Sequence, residues 1–167
     1  MIKHVMVVGY GVMGRGIALS FARGGHDVTV LSRNPSRIDD LPEGVTATSK
    51  LPEAAPDLII ESIPETMELK HELFTRLEAA YGNQSILATN TSGLSMEEMA
   101  KPLSHPHTFI GIHYFQPAEA FPAVEVIRIA ATSDEILEVV TAALKRNGQD
   151  PVVINQPIPG FLANRLQ

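Results

Sequence analysis

The chain has 167 residues, 44% hydrophobic and 19% charged, with no cysteine and a formal net charge of −6. This length holds one ordinary domain with a sizeable core, and the composition excludes a disordered chain, disulfides and thiolate chemistry. The acidic balance offers no basic field for nucleic acid, and no run approaches the roughly 18 apolar residues of a membrane span, so a cytoplasmic protein that binds phosphate only locally is expected.

Short apolar runs alternate with longer amphipathic ones. His4 to Val8 (HVMVV) reads as a buried strand. Met13 to Arg23 places Met13, Ile17, Ala18, Phe21 and Ala22 on one helical face, and Gly24-Gly25 stops that helix. Val28 to Leu31 is the next strand, and the following NPSRIDDLPEG holds no more than a helical turn. Val45 to Thr48 and Asp57 to Glu61 read as strands, and Glu65 to Ala80 as a helix with Leu69, Leu73, Phe74 and Leu77 on its buried face.

Ser85 to Thr89 is a strand, and Ser95 to Ala100 a short helix with Ser95 and Glu98 at capping-box spacing. Phe109 to His113 and Val124 to Ile129 are strands, Ser133 or Asp134 caps a helix to about Arg146, and Gln149 to Ile154 is the last strand. Gly160 to Gln167 begins a helix. Strands alternating with helices predict an α/β fold with a doubly wound, mostly parallel sheet. Of the six histidines, His105 and His107 flank a proline, and no carboxylate or third His lies at helical ligand spacing, so no metal site is expected.

Gly9-x-Gly11-x-x-Gly14 directly follows a predicted strand and opens a predicted helix. In that context the pattern is a dinucleotide-binding fingerprint of the Rossmann fold. Gly9 permits the tight turn, Gly11 lets backbone approach a pyrophosphate, and Gly14 lets the helix pack on the strand. The amides of the helix start, at Val12 and Met13, then face the phosphates. At the end of the second strand, where an NAD site of this kind carries Asp or Glu, stand Ser32 and Arg33. A hydroxyl and a guanidinium suit a 2′-phosphate, which favours NADP(H) over NAD(H); the alternative is an Arg33 that only stacks on adenine.

His113 ends one strand and Glu125 lies in the next. On opposed strand ends the carboxylate would fix the imidazole tautomer and raise its basicity, although such a pair is also a common structural one.

Gly9 to Gly14 with Ile17-Ala18, Glu61-Ser-Ile-Pro-Glu65 with Leu69-Lys70 and Leu73-Phe74, Asn90-Thr-Ser92, Gly111-Ile-His-Tyr-Phe115 with Pro117, Val124-Glu-Val-Ile127, and Pro159-Gly-Phe161 with Asn164-Arg165 occur in order along nearly the whole chain. In these motifs the chain resembles the N-terminal domain of the 3-hydroxyacyl-CoA dehydrogenases. The resemblance implies that His113 is the general base for the 3-hydroxyl, that Glu125 orients it, and that Ser92 and Asn164 bind and polarise the substrate oxygen. It also implies that Asn90 lies beside the nicotinamide, and that Glu65 and Lys70 face the cofactor's ribose and phosphates.

Residues 1–160 would then be the dinucleotide-binding domain. Residues 161–167 would begin a helix leading into a C-terminal helical domain, absent from this chain, that covers the substrate and builds a homodimer. Gln116 stands where the family usually has Asn. Dehydrogenation of another 3-hydroxy acid and a non-catalytic dinucleotide-sensing module are the alternatives to an acyl-CoA dehydrogenase.

Overall fold

Val5, Met6 and Val7 are all fully buried. A run with no polar face must be covered on both sides, which is the situation of a central parallel strand. In the computed structural model, which describes residues 1–159, this run is strand β1 (His4–Val8), with β2 (Asp27–Leu31) on one side and β4 (Leu58–Glu61) on the other, both parallel to it. The full order of the eight-stranded sheet is β3-β2-β1-β4-β5-β6-β7-β8, with β3 at Val45–Thr48, β5 at Ile86–Thr89, β6 at Phe109–Tyr114, β7 at Ala123–Ile127 and β8 at Asp150–Ile154.

The helices are α1 (Val12–Arg23), α2 (Met67–Tyr81), α3 (Met96–Ala100) and α4 (Asp134–Arg146). Alternate strand residues feed two cores. Val5, Val7, Val30 and Ile60 pack with Ile17 and Phe21 of α1 and Val140 and Leu144 of α4. Met6, Ile59 and Leu87 pack on the other face with Leu73, Phe74 and Leu77 of α2 and Met96 and Met99 of α3. Gly24 caps α1 and the positive φ of Gly25 turns the chain away. Ser95 and Ser133 accept hydrogen bonds from the amides of Glu98 and Ile136, as their spacing predicts. The NPSRIDDLPEG stretch holds one 3-10 turn, Pro35–Arg37.

One strand pair gives the mostly parallel sheet its exception, and one helix face differs from the sequence reading. The pair β6 and β7 is antiparallel, because no helix intervenes to carry the chain back to the starting end of the sheet. Leu69, expected on the buried face of α2, is 44% exposed, while Lys70 is 1% exposed. The inward face of α2 is therefore Lys70, Leu73, Phe74, Leu77 and Tyr81, still at helical spacing but rotated toward a charge.

Strand order reverses between β1 and β4, so the connections that leave their C-terminal ends run to opposite sides of the sheet, although the strands stay paired to Val8 and Glu61. A crevice outside those ends is where an open α/β sheet binds ligands.

Candidate functional site

The glycine turn forms one wall of the crevice. Gly9 has φ +94°, and a Cβ there would come 2.6 Å from the carbonyl oxygen of Ser62. A Cβ on Gly14 would collide with the carbonyl oxygen of Gly9. Both glycines are thus demanded by the protein's own packing. Gly11 is not: no atom lies within 4 Å of its missing side chain. Gly11 is the N-cap of α1, no side chain caps that helix, and Val12 in its first turn is 69% exposed. These uncovered amides at the positive end of the helix dipole fit a diphosphate, and the bare face of Gly11 lets it approach.

At the end of β2, the Ser32 amide extends the ladder by donating to Thr48 O at 2.9 Å, and its hydroxyl accepts from the amide of Asn34 at 3.3 Å. Arg33 is exposed. The connection after β2 is tied back to the glycine turn by Asp40, whose carboxylate meets Arg15 Nε at 2.6 Å and whose carbonyl accepts from the Tyr10 hydroxyl at 3.1 Å. Sequence reading missed this tie, since nothing in the turn-rich stretch marks Asp40 as a partner of residues 25 and 30 positions earlier.

Opposite the turn, Glu61 at the end of β4 is fully buried. Its Oε1 accepts from Lys70 Nζ at 2.8 Å and from the Thr89 hydroxyl, and its Oε2 from the Ile63 amide at 3.1 Å. The same Lys70 ammonium reaches Glu65 Oε1 at 2.5 Å, and Glu65 Oε2 accepts from the Thr91 hydroxyl at 2.7 Å. Burial works against ionising Glu65, but the contacts with Lys70 and Thr91 prevail and hold its carboxyl below the usual range. Lys70 is thus a buried ammonium shared by two carboxylates, and not a helix-surface lysine. One carboxylate, Glu61, joins α2 to the loop after β4 and to Thr89, the last residue of β5. The sequence signal was the pairing of Glu61 with Lys70, legible only once Lys70 is known to face inward.

Asn90 and Ser92 leave the end of β5. The amide oxygen of Asn90 accepts from the Tyr114 N–H at 3.0 Å, which leaves its NH2 group to donate. His113 on β6 is directly opposite Glu125 on β7, with Nδ1 to Oε1 at 3.7 Å. Both are buried, and Phe115 stacks edge-on against the imidazole at 5.0 Å. Burial pushes the His113 pKa below its ordinary value, and this outweighs the opposite pull of Glu125 and Glu65. The imidazole is therefore neutral at pH 7 and able to accept a proton. Met13, Glu65, Lys70, Asn90, Ser92 and His113 line one cleft of about 360 Å³, together with Gln116. Asn164 lies outside the described residues.

A bare glycine turn at the switch point of a doubly wound sheet, opening into a cleft with a neutral, carboxylate-paired histidine, defines a dinucleotide-binding domain of the dehydrogenase kind. Comparison with known families agrees: the 3-hydroxyacyl-CoA dehydrogenase NAD binding domain matches residues 4–50 and 37–157. The chain belongs to this family.

Among curated relatives, it is 31% identical over 191 residues to the fatty acid oxidation complex subunit alpha of Pseudomonas savastanoi pv. phaseolicola, a match covering 99% of this chain and 26% of that protein. It is 26% identical to the 5-formyl-3-hydroxy-2-methylpyridine 4-carboxylate 5-dehydrogenase of Mesorhizobium japonicum, covering 99% and 62%. Among solved structures, 3-hydroxybutyryl-CoA dehydrogenase from Escherichia coli K12 superposes with a TM-score of 0.88 at 29% identity, covering 99% of this chain and 40% of that one. The chain thus spans about a quarter to three-fifths of the length of these relatives. Among the described residues no helix is long and apolar enough to cross a membrane.

Proposed function

We propose that the chain is the cofactor domain of an oxidoreductase that moves a hydride between a nicotinamide dinucleotide and the 3-hydroxyl or 3-keto group of an acyl-CoA. The observation that carries this reading is the neutral His113 imidazole, backed by Glu125, in the same cleft as Met13, in the first turn of the helix that the glycines open. The bound dinucleotide supplies the hydride acceptor. An alcohol that loses hydride must also lose its proton, and His113 takes it while Glu125 steadies the imidazolium. Ser92 donates to the same substrate oxygen, a role that the family resemblance also gives to Asn164. Asn90 presents its NH2 to the nicotinamide side of the cleft. Lys70 acts on the cofactor through Glu65, because its ammonium is held by two carboxylates.

The exposed Arg33 and the hydroxyl of Ser32, with no carboxylate at the end of β2, support NADP(H) over the NAD named for the family and for the 5-formyl-3-hydroxy-2-methylpyridine 4-carboxylic acid 5-dehydrogenase, an NAD+ dependent dismutase. Gln116 on the cleft wall bears on which acyl group is taken.

Separate titrations with NADH and NADPH, followed by assays of acetoacetyl-CoA reduction with the chain alone and joined to a C-terminal helical domain of the family, test the reading. Turnover that His113→Ala abolishes while dinucleotide affinity persists supports it. Binding with no turnover in either form identifies a dinucleotide-sensing module instead, and turnover confined to a smaller 3-hydroxy acid replaces the acyl-CoA.

A further inference from the structure

The charges around the cleft are unbalanced. In it and directly beneath it lie three carboxylates, Glu61, Glu65 and Glu125, against the single ammonium of Lys70. With His113 neutral, this leaves an excess of two negative charges. No Arg, and no Lys besides Lys70, occurs among the described residues that line the cleft. Of the three carboxylates only Glu65 reaches into open space, with its side chain 43% exposed, and it is near enough to His113 to pull on the imidazole electrostatically.

The two forms of a nicotinamide cofactor differ in charge at one place. The oxidised ring carries a positive charge, and hydride addition removes it. A fixed negative group near the ring therefore interacts differently with the two forms, and Glu65, even where it also faces the ribose, shares its cleft with His113, where the ring must lie if hydride and proton are to leave neighbouring substrate atoms. Thr91 and Lys70 hold the Glu65 carboxylate in place, and Glu61 keeps Lys70 from neutralising it fully.

Resting on the proposed dehydrogenase reading, we infer that the Glu61–Lys70–Glu65 triad discriminates between the redox forms of the cofactor, favouring the oxidised, positively charged ring through the Glu65 carboxylate. On oxidation of substrate, the positive charge lost from the ring reappears as a proton on His113 beside Glu125, so the excess negative charge is matched before and after the transfer.

The test measures Kd for the oxidised and reduced dinucleotide at pH 8, where His113 is neutral, in the unmodified chain, in Glu65→Gln and in Thr91→Val. In Glu65→Gln the Kd of the oxidised form is expected to rise about three- to tenfold more than that of the reduced form. Thr91→Val keeps the charge, so its ratio of the two constants should stay within about twofold of the unmodified ratio. A Glu65→Gln ratio that stays constant or moves the other way overturns the inference, as does a Thr91→Val change of equal size. Loss of all dinucleotide binding by the unmodified chain is a different failure and removes the cofactor reading itself. The partial exposure of Glu65 keeps the variant foldable, which a thermal melt verifies.

Discussion

His113 and Glu125 are cross-strand partners on the antiparallel pair β6 and β7, twelve residues apart in sequence and 3.7 Å apart between ring nitrogen and carboxylate oxygen. The pairing makes a pH profile specific. In the proposed reaction, oxidation needs the neutral imidazole, whose pKa burial depresses, so its kcat/KM should be flat above pH 7 and fall as pH drops through the depressed value. Reduction needs the imidazolium and falls as pH rises through the same value. Glu125→Gln removes a group that raises this pKa, so both limbs should move to lower pH with a loss on the order of ten- to a hundredfold in reduction at pH 7, whereas His113→Ala should cost about a hundredfold to ten-thousandfold.

The three glycines of the turn should separate by what they touch. Gly9→Ala and Gly14→Ala meet backbone carbonyls, and Gly9 also needs its positive φ, so each should destabilise the fold by about 1–3 kcal/mol or more in urea unfolding. Gly11→Ala meets nothing within 4 Å and should unfold like the unmodified chain. Its defect should appear only in a dinucleotide titration, because the added methyl group stands where the pyrophosphate approaches.

Lys70→Met should be among the most damaging single changes outside the apolar core. It leaves the fully buried Glu61 carboxylate without its ammonium, at a cost of about 3–5 kcal/mol measured by denaturant unfolding. Pairing it with Glu61→Gln should recover most of that loss, since the penalty arises from the uncompensated charge.

Arg33→Ala tests the adenosine end. If a 2′-phosphate sits against the exposed guanidinium, NADPH affinity should fall about tenfold or more while NADH affinity is unchanged. Equal changes for both cofactors would mean that Arg33 only stacks on the adenine.

Stability should also depend on pH through His26 as well as His113. His26 is buried edge-on against Phe21, and burial and then Arg146 depress its pKa. A depressed imidazole leaves the unfolded chain to bind protons first. Its contribution is therefore whole above about pH 6.5 and is lost as pH falls from there through the native value. Thermal melts between pH 7.5 and 5 should show this decline, and His26→Leu should flatten part of it.

Much of the fold was legible along the chain because its causes are local. Short β-branched runs alternating with amphipathic stretches specify strands joined by crossovers, and Gly9, Gly11 and Gly14 between strand and helix announce a phosphate-binding turn whatever surrounds them. His113 and Glu125 stood out as a pair, but whether they met depended on the direction of β7, which follows from the missing helix between two strands and not from either residue.

What only the tertiary structure decided concerns charge. A lysine with two leucines nearby reads as a solvated residue on an apolar helix, and local pattern put Leu69 inside. The carboxylate at the end of β4 reverses that choice, because Glu61 cannot stay buried without a cation, and Lys70 on the neighbouring helix is within reach. The Arg15–Asp40 tie is of the same kind. Apolar periodicity is written into successive residues, whereas a compensating charge is supplied by whichever element the fold brings alongside.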